Sequence, residues 1–266
     1  MIELLGKPVA QARKAVLQEN MQALVDRGVR ITLGILLVGD DNAAKMYATF
    51  MEKVAKGANF STELVELPET ASQEEVEAVI RRFNTDEHIY GVLPLMPMPT
   101  HIDSEAVIGA LDPRKDIDGL TTYNIGSVSS GKGGYVPCTP KACMAIVDHY
   151  GISLSGKKVV VLGRSQVVGK PVALLALERN ATVTICHSKT QNLEAELAQA
   201  DVVIAAVGKA HIVQGSMLKP GCVVLDVGIN DLDGQTVGDV EFASASEVAS
   251  AITPVPGGVG SVTTTM

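Results

Sequence analysis

The stretch that decides the fold runs from Val159 to Pro171 and reads Val-Val-Val-Leu-Gly-Arg-Ser-Gln-Val-Val-Gly-Lys-Pro. Its apolar start predicts a buried strand, Gly163 a turn, and Gly169 the beginning of a helix. A strand, a glycine turn and a helix in this order present backbone N–H groups that can bind the pyrophosphate of a dinucleotide. Because only two glycines of the GxGxxG pattern are present, an ordinary strand-to-helix turn stays open as the alternative.

The next predicted strand ends in His187-Ser188-Lys189-Thr190. A site specific for NAD carries Asp or Glu there, about 20 residues after the glycine turn, to bind the ribose 2′-hydroxyl. Arg164, with Ser188 and Lys189, instead suits a 2′-phosphate, because a guanidinium can bind phosphate through two parallel hydrogen bonds. The pattern therefore favours NADP, although Arg164 taken alone could equally be a solvated loop residue.

The rest of the chain alternates β-branched runs with helical stretches, as βαβ units with a parallel sheet do. In the C-terminal half we predict a helix and four strands: Lys141–Tyr150, then Lys158–Leu162, Thr182–Cys186, Val202–Ala206 and Val223–Val227. In the N-terminal half we predict three helices, Val9–Arg27, Ala43–Lys56 and Gln73–Phe83, and three strands, Ile31–Val38, Thr62–Leu67 and Tyr90–Leu95. The fold class is α/β, with two α/β domains of which the C-terminal one is Rossmann-like.

The amino-acid composition changes between the two sets of predicted helices and strands. Pro, His and Asp become frequent from Pro97 to Asp118, and the glycine-rich stretch Gly126–Gly134 is predicted to be a loop. We therefore expect a substrate-binding domain over residues 1–137 and a dinucleotide-binding domain over 138–253, with residues 254–266 returning to the first.

Charge and cysteine content exclude several classes of function. With a net charge of −8, the 266-residue chain lacks the basic surface that nucleic acids or anionic membranes require, so small molecules are the expected partners. Its longest apolar runs, such as Ile31–Val38, are far shorter than the ~20 residues of a membrane span. The four cysteines match no zinc-ligand spacing, so we expect reduced thiols, no metal and a cytoplasmic location.

Six motifs occur in one order along the chain. They are Lys115-Asp116-Ile117-Asp118-Gly119-Leu120, Pro137-Cys138-Thr139-Pro140, Gly163-Arg164-Ser165, His187-Ser188-Lys189-Thr190, Asp226-Val227-Gly228-Ile229-Asn230 and Thr253-Pro254-Val255-Pro256-Gly257-Gly258-Val259-Gly260. In these motifs the sequence resembles the methylenetetrahydrofolate dehydrogenase/cyclohydrolase family over nearly its whole length.

The resemblance implies a folate cleft between the domains, where NADP oxidises methylenetetrahydrofolate to the methenyl form. Bifunctional members then hydrolyse this product to formyltetrahydrofolate. The resemblance also implies a homodimer. It assigns cofactor binding to Gly163, Arg164, Ser165, Gly169, Ser188, Gly208, Ile229 and Thr139.

By the same resemblance, four residues contact the tetrahydrofolate substrate. Asp118 binds the polar edge of the pterin, Tyr47 lies along the aminobenzoate ring, and Pro256 and Gly257 line the cleft. Taken without the family, Asp118 is more simply a turn residue before Gly119, and Tyr47 is more simply a core residue on an apolar helix face.

Two catalytic positions depart from the family pattern. Met51 stands where the family has its lysine, one helical turn after Tyr47, and Leu95 stands where it has its glutamine. On a helix Lys53 and Lys56 point away from the direction of Met51, so neither is a simple replacement. Because Met and Leu cannot transfer protons, we expect cyclohydrolase activity to be weak or lost while dehydrogenation survives.

The end of the chain also differs. Relatives continue past Gly260 into a helix that returns to the first domain, whereas this sequence ends at Met266 and has Ser261 where proline is usual. Together with Met51 and Leu95, this leaves two alternatives to the dehydrogenase. One is a non-catalytic partner subunit that binds nucleotide or folate, and the other is an NADP oxidoreductase with a different substrate.

Overall fold

The computed structural model describes residues 1–42 and 44–266, which form two compact units. The C-terminal unit comprises Met1–Arg13 and Pro137–Met266, and the N-terminal unit comprises Lys14–Val136. This grouping differs from the expected division at both ends of the chain, because residues 1–13 and 254–266 pack within the C-terminal unit. No helix among the described residues is long and apolar enough to cross a membrane.

The first half of the chain forms the three predicted helices and three predicted strands, with shifts of a few residues at their ends, and also a two-residue strand and two short helices that were not predicted. In chain order they are β1 (Ile2–Glu3), α1 (Gly6–Asp26), β2 (Thr32–Val38), α2 (Asn42–Gly57), β3 (Ser61–Leu67), α3 (Gln73–Thr85), β4 (Ile89–Pro94), α4 (Ser104–Gly109) and α5 (Thr122–Ser129). Three of the strands form a parallel sheet in the order β3-β2-β4. Its central strand β2 is almost fully buried, which explains its uninterrupted apolar sequence.

The prediction of a loop over Gly126–Gly134 is wrong in its first part, because α5 extends into it. The hydroxyl of Thr121 caps this helix by accepting the backbone N–H of Asn124 at 3.3 Å. The amide of Asn124 also donates to the Asp116 carboxylate at 2.8 Å. These contacts with neighbouring segments stabilise a helix that the glycine content does not favour.

The second half contains the predicted strands and several shorter elements. They are α6 (Cys138–His149), β5 (Lys158–Leu162), α7 (Gly169–Glu178), β6 (Thr182–Cys186), α8 (Leu193–Leu197), β7 (Val202–Ala205), a 3₁₀ turn (Gly215–Met217), β8 (Val223–Asp226), β9 (Asn230–Leu232), β10 (Gln235–Val237), α9 (Phe242–Val248), β11 (Ala251–Ile252) and α10 (Gly260–Thr263). A six-stranded parallel sheet has the order β1-β11-β8-β7-β5-β6. The strand order reverses next to β5, whose two neighbours are β6 and β7. In such sheets ligands bind at the carboxyl ends of the strands beside this switch point.

Pairing at the far edge of the sheet explains why the two chain ends join the C-terminal unit. β1 pairs with β11, so that Ile2 lies opposite Ala251, and β11 pairs in turn with β8. The short helix α10 packs against α6. Residues 1–3 and 251–263 therefore complete this sheet and its helical layer.

Candidate active site

The turn between β5 and α7 requires its two glycines. Gly163 has φ +125°, and a Cβ there would overlap the carbonyl oxygen of Ala206 after β7. A Cβ on Gly169 would overlap the carbonyl oxygen of Gly163. The hydroxyl of Ser165 accepts the backbone N–H groups of Val168 at 3.1 Å and Gly169 at 3.3 Å, which helps α7 to begin there. The turn is thus a close-packed strand-to-helix connection whose outer residues, Arg164 among them, are exposed.

The segment after β6 lies at the same edge of the sheet, because Leu162 and Cys186 are paired across β5 and β6. The hydroxyl of Thr190 accepts the backbone N–H of His187 at 2.8 Å, and its own backbone N–H donates to the His187 carbonyl at 2.8 Å. This closed turn leaves Ser188 exposed. An exposed hydroxyl and the exposed guanidinium of Arg164 at one strand edge are groups that fit a ribose 2′-phosphate.

The loops after β7 and β8 complete this edge. Gly208 has φ +66°, and no atom lies within 4 Å of a Cβ built on it, so its backbone faces open space where a ligand can approach. Ile229, in the loop after β8, is 68% exposed although its side chain is large and apolar. Thr139 is half-buried in the first turn of α6. These features fit a dinucleotide that lies across the strand ends.

Two buried carboxylates hold these loops: Asp226, which opens one of the sequence motifs, and Asp239, which the sequence did not single out. Asp239 is fully buried, and its carboxylate accepts the backbone N–H of Gly208 at 3.1 Å. Asp226, at the end of β8, is also buried and accepts the backbone N–H of Gly228 at 3.0 Å. Burial raises the pKa of the Asp226 carboxyl to about 6, against the opposing effect of its backbone hydrogen bonds. The only sequence signal was a glycine before Asp239, a pattern that ordinary turns share.

Pro256 and Gly257 line a cavity of ≈ 230 Å³ together with Ile229 and Asp226. The hydroxyl of Thr253 accepts the backbone N–H of Asp226 at 2.7 Å and so links the segment before Pro256 to the end of β8. A larger cavity of ≈ 440 Å³ lies at the amino ends of β7 and β8, away from every motif described above. Position relative to the strand ends, rather than size, identifies the smaller cavity as part of the candidate site.

In the N-terminal unit, α2 carries two of the predicted positions one helical turn apart. Tyr47 is 41% exposed, whereas Met51 is half-buried against a group of apolar side chains that we call the α2 cluster. Its members are Leu33, Ile35, Leu37, Ala44, Ala48, Leu93 and Leu95, with Met51, Phe60, Leu64 and Ile117 packed against them. Residues 51 and 95, far apart in sequence, thus belong to one apolar cluster.

Leu95 is buried directly after β4, where its backbone N–H donates to the carbonyl of Leu36 at 2.9 Å. The lysines of α2 lie elsewhere. Lys45 forms an ion pair with Asp40 at 2.7 Å, and Lys53 and Lys56 are exposed residues outside the α2 cluster. This placement agrees with the expectation from helix geometry that neither Lys53 nor Lys56 replaces the lysine missing at position 51.

The loop before α5 contains two aspartates with different surroundings. Asp116 is buried, and its carboxylate accepts the backbone N–H groups of Leu120 at 3.1 Å and Thr121 at 2.8 Å. Asp118 is half-buried and follows Ile117, which packs on the α2 cluster. Asp116 thus supplies these two acceptors for the turn before α5.

Comparison with known proteins decides the family. Residues 4–118 match the catalytic domain, and residues 137–266 the NAD(P)-binding domain, of the tetrahydrofolate dehydrogenase/cyclohydrolase family. The chain belongs to this family. It is 45% identical over 262 residues to the bifunctional protein FolD of Geotalea uraniireducens. The aligned region covers 98% of this chain and 94% of that protein.

Solved structures agree with this assignment. The bifunctional FolD methylenetetrahydrofolate dehydrogenase/cyclohydrolase of Campylobacter jejuni superimposes with a TM-score of 0.98 at 37% identity, covering 100% of this chain and 95% of that one. The Trypanosoma brucei enzyme, solved with NADP cofactor and inhibitor, gives a TM-score of 0.93 at 35% identity, and the match covers 100% of this chain and 94% of that one. The predicted family, fold class and enzymatic nature of this tetrahydrofolate dehydrogenase/cyclohydrolase family member are confirmed, and so is its dinucleotide cofactor.

Proposed function

We propose that the chain is an NADP-dependent methylenetetrahydrofolate dehydrogenase whose methenyltetrahydrofolate cyclohydrolase activity is weak or lost. The observation that carries this proposal is a contrast within the molecule. The strand edge that fits the dinucleotide keeps its glycines and polar groups, whereas Met51 and Leu95 form part of one apolar cluster.

The cofactor residues act by binding and orienting. Bound NADP would supply the hydride acceptor for the one-carbon bridge of methylenetetrahydrofolate, whose oxidation gives methenyltetrahydrofolate. We assign pyrophosphate binding to the turn of Gly163, Ser165 and Gly169, and recognition of the 2′-phosphate to Arg164 and Ser188. Three further contacts are assigned to Gly208, Ile229 and Thr139. Hydride transfer between bound partners asks mainly for correct positioning, which these residues supply.

Substrate binding is assigned to Tyr47, Asp118, Pro256 and Gly257. The partly exposed ring of Tyr47 offers an apolar face for the aminobenzoate group, and the Asp118 carboxylate offers two acceptors for the N–H groups of the pterin. The functional division stays as proposed from the sequence. Residues 1–137 with 254–266 bind the substrate, and residues 138–253 bind the cofactor.

Hydrolysis of the methenyl group bonds a water oxygen to the one-carbon unit and breaks the bond from that carbon to one nitrogen; the water loses one proton to solvent, and the other is transferred to the released nitrogen. Met51 and Leu95 carry no group that can accept or donate this proton. Their packing in the α2 cluster also leaves an apolar surface where the family has a lysine and a glutamine. Most of the methenyl product therefore leaves this site unhydrolysed, for a separate hydrolase or another one-carbon transfer to consume.

We also propose a homodimer in the cytoplasm. β6 is an edge strand, and two apolar residues, Ile185 in β6 and Leu177 in the adjacent helix α7, are 41% and 58% exposed, which suits pairing with a second copy. The cytoplasmic location is the expectation drawn from the cysteine spacing in the sequence.

Incubation of the purified protein with methylenetetrahydrofolate and either NADP or NAD tests the dehydrogenase. We expect reduced cofactor and methenyltetrahydrofolate to form in equal amounts, faster with NADP. Binding of NADP without turnover would contradict the dehydrogenase and favour a partner subunit. Turnover of NADP with other reduced substrates but not with methylenetetrahydrofolate would instead favour an oxidoreductase of different specificity.

A further inference from the structure

A fully buried carboxylate lies behind the loops at the carboxyl ends of β7 and β8. Asp239 follows β10, and its two oxygens accept hydrogen bonds from four N–H groups. Three of these are the consecutive backbone N–H groups of Val207, Gly208 and Lys209, at 2.6, 3.1 and 2.8 Å. The fourth is the side-chain amide of Asn230, at 3.0 Å. Four donors compensate this carboxylate well for its burial.

This arrangement fixes the shape of the turn after β7. Successive N–H groups converge on one anion only when the backbone bends with a left-handed residue in the turn, and Gly208 provides this residue at φ +66°. Because Asp239 uses all three N–H groups, they are not available to a ligand. Gly208 can therefore serve the cofactor only through the open face of its backbone, and its position depends on Asp239.

A second buried carboxylate holds Asp239 in place. The Asp226 side chain accepts the backbone N–H groups of Asp239 at 3.0 Å and Val240 at 2.9 Å. A Cβ on Gly238 would overlap the Asp226 carboxylate, and a Cβ on Gly228 would overlap that of Asp239. Close packing against these two glycines leaves both carboxylates little freedom to move.

We propose that Asp239 is a positioning residue for the cofactor, which acts by holding the turn Val207–Lys209 and the side chain of Asn230 in the conformation that binds the dinucleotide. The inference rests on the proposed NADP site and adds a residue to it that does not touch the cofactor. A free enzyme without the carboxylate samples other turn conformations, so its apparent cofactor affinity falls by the fraction of molecules that stay competent.

Asp239→Asn tests the proposal, because it keeps the size of the side chain but removes the charge and one acceptor. Asp201→Asn is the matched control. Asp201 also accepts a backbone N–H, from Lys158 at 2.9 Å, and binds Lys219 at 2.7 Å, but it lies at the amino ends of the strands, away from the cofactor motifs. We would measure the Kd for NADP by calorimetry, together with thermal unfolding and the steady-state KM and kcat.

We expect Asp239→Asn to raise the Kd and the KM for NADP about 10-fold or more, with a smaller change in the KM for the folate. Asp201→Asn should lower the unfolding temperature but leave the Kd for NADP unchanged. If the two variants lose thermal stability and the folded Asp239→Asn protein binds NADP as tightly as wild type, the role of Asp239 is structural only and the proposal is overturned. Wild-type protein that fails to bind NADP would overturn the proposed function itself.

Asn230→Ala keeps the test decisive should Asp239→Asn fail to fold. This variant removes one donor to Asp239 and leaves the three backbone donors in place. We expect it to fold and to raise the Kd for NADP about threefold, since a single hydrogen bond of ordinary strength is lost. An unchanged Kd in this folded variant would contradict the proposal.

Discussion

Buried polar groups occur at the strand edge of the C-terminal unit, whereas the α2 cluster of the N-terminal unit is apolar. At the strand edge, Asp226 and Asp239 are buried, and each is compensated by several N–H donors. In the α2 cluster, Met51 and Leu95 are apolar at both positions where the family has polar catalytic groups. A buried carboxylate destabilises the fold unless hydrogen bonds or ion pairs compensate its charge. Under the proposed function, this is the difference between a cofactor site that is maintained and a hydrolytic site that is not.

The largest expected effect comes from returning the polar pair to the α2 cluster. Met51→Lys with Leu95→Gln should accelerate hydrolysis of methenyltetrahydrofolate by about 10²–10⁴ over wild type, the usual contribution of general acid–base catalysis. The hydrolysis rate should be compared with those of Met51→Leu and Leu95→Met, which keep the cluster apolar. A folded double variant with no gain would show that the two positions alone do not explain the loss.

Gly163→Ala should nearly abolish binding of NADP, lowering affinity about 100-fold, because the new Cβ overlaps the Ala206 carbonyl oxygen and shifts the turn. Gly151→Ala is the control. Gly151 also has a positive φ, +65°, but no atom lies within 4 Å of its Cβ position. Calorimetric titration with NADP measures the difference, and equal losses in the two variants would mean that backbone strain, and not the close contact, is responsible.

The pKa of Asp226 predicts a dependence of stability on pH. Because its pKa in the fold, about 6, exceeds the ordinary value of 3.8, this carboxyl stabilises the fold when protonated, and the stabilisation is lost as the pH rises through 6. Relative to Asp226→Asn, the free energy of unfolding of wild type should therefore fall by about 3 kcal/mol between acidic and neutral pH.

Asp201 provides the control of opposite sign for this measurement. Its ion pair with Lys219 lowers the pKa of Asp201, so wild type should gain stability over Asp201→Asn as the pH rises and lose it as the pH falls through the lowered pKa. Denaturant unfolding across the pH range gives both curves. A constant difference between wild type and Asp226→Asn would contradict the assigned burial of that carboxyl.

Arg164→Leu is expected to have the smallest effect of the series. It should raise the KM for NADP about 10-fold and leave that for NAD unchanged, since only the 2′-phosphate loses a charge-assisted hydrogen bond. Arg179→Leu, which removes an ion pair with Asp148 at 2.7 Å, controls for loss of a guanidinium elsewhere in the unit. Equal increases for NADP and NAD would indicate that Arg164 does not contact the 2′-phosphate.

Sequence patterns predicted the long elements and the glycine turn, because buried β-branched runs and glycines at close contacts have local signals. They did not predict β1 and β11, two-residue strands that form only by pairing with the sheet. Asp239 was missed for a similar reason. A lone aspartate after glycine is typical of turns, and its four donors come from segments far along the chain.

Retained dehydrogenation with weak or lost hydrolysis can be measured on a single preparation. Methenyltetrahydrofolate is added to a wild-type preparation already shown to reduce NADP with methylenetetrahydrofolate, and its disappearance is followed against buffer alone. We predict the same rate with and without enzyme. Hydrolysis that rises in proportion to enzyme concentration would contradict the account and show that a group other than residues 51 and 95 transfers the proton.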